Sequence, residues 1–107
     1  MTGWGVLVLA GLVEVAWSQS IRPTEGFTRI GPTALCILLG GTAVYLLSRA
    51  METVPVGTAY AVFTGIGAVG AISLGVLLSG DPLSLGRIAA LTLIVGGVAL
   101  ARATAGE

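Results

Sequence analysis

Apolar residues in this chain run in stretches of about 20, the length a helix needs to cross the hydrocarbon core of a bilayer. Four such stretches fit, at residues 4–21, 32–50, 56–79 and 84–103, and little is left between them. Breakers separate them: RPTEGFTR after the first, Pro55 before the third and GDPLS before the fourth, while Pro32 suits the first turn of the second. Of the 107 residues, 55% are hydrophobic and 9% charged, whereas a soluble domain needs roughly a quarter charged to face water. The expected fold is therefore an all-α membrane protein, one transmembrane domain of four helices. The first stretch lacks a preceding positive region and contains an acid, so it is read as a helix and not as a cleaved signal peptide.

The charges exclude other classes. Five arginines balance five acids, there is no lysine, and no basic patch invites nucleic acid. With one cysteine, Cys36, and no histidine, neither an internal disulfide nor a Cys/His metal cluster can form, and no metal is expected. No nucleophile–base pair stands out, so an enzyme is not expected.

GIGAVG, Gly65 to Gly70, spells the G-x-G-x-x-G of dinucleotide-binding turns. That motif works only between a strand and a helix start, on a pyrophosphate. Here it falls inside the third apolar stretch, so the nucleotide reading fails. The glycines instead permit close approach by a neighbour, or a hinge in helix 3. The residues alone leave both open. Gly96 and Gly97 in LIVGGV give helix 4 a small-residue face suited to self-association.

Nine of the ten charges fall in loops or near helix ends. The tenth is Glu14, preceded directly by WGVLVLAGLV. An acid at that depth costs on the order of 2–3 kcal/mol for insertion. No cation sits on its own helix, since Trp17 and Ser18 occupy the facing positions. Such a residue marks an ion or substrate path. A carboxyl group there holds a proton or an organic cation, but poorly both together, and that competition couples proton uptake to cation release. If both termini share a side, Arg49 and Arg102 lie there and Arg22, Arg29 and Arg87 lie opposite. So small a bias allows insertion both ways, and two opposed copies would share one cavity around their Glu14 residues.

AGLVEVAW around Glu14, EGFTRIGP in the first loop, YLLSRAMETVPVGTAYAVFTGIGAVGA and the closing LIVGGV together resemble the small multidrug resistance transporters, within them the guanidinium-exporter branch. The resemblance spans nearly the whole chain. It implies an antiparallel dual-topology homodimer in the lipid of the bacterial inner membrane, multi-pass, exchanging protons for a small organic cation. It implies no cofactor, protons being the coupling ion. Carried over residue by residue, Glu14 is the shared proton and substrate site, lined by Gly11 and Trp17, with Tyr60 as hydroxyl partner. Helix 3 would bend at Gly65 and Gly67, and the dimer would pack through Gly96 and Gly97.

Two positions depart from the branch: Phe63 stands where Trp is usual, and Ala43 where Ser is usual. Each loses a polar group beside the carboxylate. Ser18, one turn after Glu14, is expected to return a hydrogen bond, with Gln19 pointing elsewhere. The leading function is proton-coupled export of guanidinium or small substituted guanidinium ions. The nearest alternative is a polyspecific exporter of quaternary ammonium and other lipophilic cations. A passive cation channel and a non-transporting subunit, or half of a heterodimer, are further alternatives.

Overall fold

Each apolar stretch forms one helix. The structure, a computed structural model, describes residues 3–104; Glu107, one of the charges assigned to the chain end, lies outside the described residues. Helix α1 spans Gly3–Ser20, α2 Ile30–Ala50, α3 Val56–Leu78 and α4 Leu85–Ala103, with no strand among the described residues. Lengths of 18 to 23 residues rise about 27 to 35 Å, bracketing a hydrocarbon core of roughly 30 Å. All four are long and apolar enough to cross a membrane.

The helix ends follow local chemistry. Helix α2 starts at Ile30, which puts Pro32 in its first turn, where a missing N–H breaks no helical bond. Pro55, with ψ 142°, holds the extended residue before α3. Gly80, at φ 71°, takes the left-handed turn that closes α3, and the Asp81 N–H donates back to the Gly75 carbonyl at 3.1 Å. Ser84 Oγ accepts from the Arg87 N–H at 3.2 Å and so caps α4. The connection from α1 to α2 is more ordered than a polar loop need be. It contains a 3-10 turn at Arg22–Thr24. Buried Thr24 donates its hydroxyl to the Ile21 carbonyl at 2.6 Å and accepts from the Phe27 N–H at 3.2 Å.

Helix α1 packs against both α2 and α3, whereas the α4 backbone approaches only α3. The shared core joins Leu7 and Ala10 of α1, Ala43 and Leu47 of α2, and Ala59, Val62 and Phe63 of α3. Small members let the backbones close together. Helix α4 buries no residue. Large apolar side chains face outward, among them Ile30 at 89% and Leu85 at 86% exposure. In water such a surface would drive aggregation; against acyl chains it is at home.

Candidate functional site

Three helices converge on the one intramembrane acid. A cavity of about 400 Å3 lies between α1, α2 and α3. Glu14 and Trp17 enter it from α1, Ala43 from α2, and Tyr60 and Phe63 from α3. The spacing explains the convergence: 14 and 17 are one helical turn apart, and so are 60 and 63. The Tyr60 and Phe63 rings stand 6.3 Å apart and tilted by 40°. Phe63 is buried, while Tyr60 stays 58% exposed. Among the described residues, no hydrogen bond or ion pair ties the Glu14 carboxylate to another group. An unpaired carboxylate beside three aromatic rings is suited to an organic cation. The charge attracts it, and each ring face adds about 0.5–2 kcal/mol.

Two close approaches build this site. A methyl group placed on Gly67 would sit 2.7 Å from Glu14 Cγ, so the bare glycine of α3 is what leaves room for the acid. Likewise a methyl on Gly40 of α2 would sit 2.9 Å from Trp17 Nε1. Gly40 is a site residue that reading the sequence missed, together with Val44 and Leu47. Positions 40, 43, 44 and 47 form one helical stripe, so the register of Ala43 already contained the signal.

Other expected site residues fall elsewhere. Gly11 is buried against α3 and does not line the cavity; a methyl there would lie 2.7 Å from Ile66 Cγ2. Its place is a helix contact, one turn from the acid. Ser18 does not serve Glu14 either. Its hydroxyl donates to the Val15 carbonyl at 2.6 Å, the local bond that serines in helices favour. Gln19 stays out of the Glu14 cavity, and its amide donates to Ser18 Oγ at 3.3 Å. Both line a separate polar cavity of about 510 Å3 with Arg22, Glu25 and Asp81. In GIGAVG, Gly65 receives Val98 of α4, Gly67 receives Glu14 and Gly70 receives Val15. Helix α3 runs unbroken through all three, and each marks a close approach. Gly96 and Gly97 meet nothing within 4 Å and lie on the outer side of α4.

Residues 2–94 match the family model described as Small Multidrug Resistance protein. The chain belongs to the small multidrug resistance family. Curated relatives include a guanidinium exporter of Citrobacter freundii, 50% identical over 95 residues that cover 89% of this chain and 90% of the relative. A guanidinium exporter of Yersinia pestis is 46% identical over 95 residues, covering 89% and 91%. Within the small multidrug resistance family, then, this is a four-helix multi-pass membrane protein whose single intramembrane acid faces an aromatic cavity.

Proposed function

We propose that this protein is a proton-coupled exporter of guanidinium or small substituted guanidinium ions in the bacterial inner membrane. It would act as an antiparallel homodimer, with no cofactor beyond the proton. The observation that supports this most is the Glu14 carboxylate set among Trp17, Tyr60 and Phe63, in a chain about half identical to guanidinium exporters. Guanidinium presents planar N–H donors to a carboxylate, and the aromatic walls add attraction to its faces. In this reading a proton taken up at Glu14 from one side removes the charge that holds the cation, which leaves there, and release of that proton on the other side restores the carboxylate for the next cation. Exchange follows from competition for one group.

A second reading, export of quaternary ammonium ions, draws support from the walls. Ala43 and Phe63 bring no hydroxyl or indole N–H, and Gly40 leaves space beside Trp17. Alkylated cations need apolar and aromatic surface, not acceptors. Proteoliposomes with a pH gradient separate the two, using guanidinium, an alkylguanidinium and tetrapropylammonium as substrates. Guanidinium is expected to give coupled proton currents, with the alkylguanidinium also accepted. The Ala43→Ser, Phe63→Trp double variant is expected to narrow that range. Currents with tetrapropylammonium alone would refute the leading reading, and an unchanged ratio in the double variant would remove these two positions from substrate choice.

A further inference from the structure

Helices α1 and α4 both flank α3, yet their backbones do not meet. The gap is an apolar trough floored by α3. At one end it opens into a cavity of about 820 Å3 lined by Trp4 and Val8 of α1, Val62 of α3, and Ala99 and Arg102 of α4. A second cavity of about 440 Å3 shares Ile66 and Val98 with the first and continues past Val69 to Leu74. From Val62 to Leu74, α3 rises about 18 Å. One leaflet of the hydrocarbon core is about 15 Å thick. The trough therefore has the length of an acyl chain lying in one leaflet.

Its mouth carries the matching head. The Arg102 guanidinium lies 5.4 Å from the centroid of the Trp4 ring, at the ends of α4 and α1 where arginine and tryptophan reach the membrane surface. Among the described residues no carboxylate lies within ion-pair distance of Arg102. A guanidinium held on a ring face keeps its edge free for a phosphate, which it can grip with two N–H donors. The faces of α4 also separate the occupants. Val95, Val98, Ala99 and Arg102 line the trough. Leu93, Gly96, Gly97 and Leu100 lie on the opposite side of the same helix. A second copy packed on Gly96 and Gly97 leaves the trough to lipid.

We propose that the trough binds one anionic phospholipid, its headgroup phosphate on Arg102 and an acyl chain along α3 between α1 and α4. The site is independent of which cation the protein carries. Because the sequence has two tryptophans, a Trp17→Phe variant leaves Trp4 as the sole fluorophore beside the mouth. It would be placed in phosphatidylcholine vesicles containing either phosphatidylglycerol or phosphatidylcholine with brominated chains at equal, low fraction. Brominated phosphatidylglycerol is expected to quench Trp4 as though locally enriched about fivefold, the ratio one arginine near an anionic surface is worth. Adding Arg102→Gln should equalise the two lipids, Arg102→Lys should keep most of the preference, and Ala99→Phe, which fills the trough, should lower it. Equal quenching with Arg102 intact, or a preference that survives Arg102→Gln, would overturn the proposal. So would protection of Trp4 from both lipids, which would put protein, such as a second copy, in the trough.

Discussion

A carboxylate inside an apolar helix stands out because every neighbouring residue is wrong for it. Glu14 has no cation on α1 and no described partner across the cavity, so its insertion cost of about 2–3 kcal/mol is offset by no structural bond. We expect Glu14→Gln to remain inserted and folded but to lose uphill transport driven by a pH gradient, since the amide keeps the size and not the proton. Uphill movement of guanidinium by this variant, measured in proteoliposomes, would contradict the role given to the acid. Trp17 was legible beside Glu14 from helical spacing, Tyr60 through the family resemblance, and Phe63, which departs from the branch's usual Trp, through its place one turn after Tyr60. Gly40, Val44 and Leu47 were legible only through Ala43, whose helical stripe they share; the rotation of α2 that turns this stripe toward α1 is set by packing between helices. Ser18 was misread for a related reason: a helical serine has the carbonyl three residues back always within reach. Gly40 supplies the second residue-scale prediction. Leucine there would enter the cavity and press on Trp17, and one or two methylenes in a shaped pocket change selectivity by about tenfold or more. The current ratio of tetrapropylammonium to guanidinium should fall by that order in Gly40→Leu. An unchanged ratio would show that this wall of α2 does not limit substrate size.

Helices were the most legible level, since length and hydropathy are what the bilayer itself requires. The observed boundaries lie within two residues of those read from the apolar runs. What those runs could not supply was the purpose of the α3 glycines, for packing and bending leave the same letters. In the folded chain Gly65, Gly67 and Gly70 each accept a side chain from a different neighbour, which makes α3 the element that sets distances for α1 and α4. Gly70 gives the clearest test. An added methyl would overlap the Val15 side chain, and overpacking of this kind costs about 1–3 kcal/mol. Gly70→Ala should therefore lower stability in reversible micelle unfolding. Val15→Ala, which removes the clashing methyls, should restore much of the loss in the double variant. Strictly additive effects would mean that the two residues do not meet.

At the scale of the whole molecule, one chain leaves its site open. Tyr60 is mostly exposed, the Gly96 and Gly97 face of α4 touches nothing, and α4 buries no residue. Each of these would be met by a second copy, and an inverted copy would bring its own Glu14 to the same cavity. The arginines allow that arrangement. The start of α1, the end of α4 with Arg102 and the turn between α2 and α3 beside Arg49 lie on one side; Arg22 and Arg29 in the α1–α2 connection and Arg87 in the first turn of α4 lie on the other. Orientation follows the excess of positive residues near the helix ends, and a difference of one gives neither orientation an advantage. Four lysines added at the carboxyl terminus would reverse and enlarge the bias, to six positive residues against three, fixing the termini on the cytoplasmic side. We expect such a variant to insert one way and to lose transport when expressed alone. Transport should return on co-expression with a variant locked in reverse by two lysines in the α1–α2 connection. A cysteine at the wild-type terminus should react with impermeant reagent from both faces of the membrane. Reaction from a single face, or full activity of either locked variant alone, would leave the inverted pair without support and require a site completed by parallel copies.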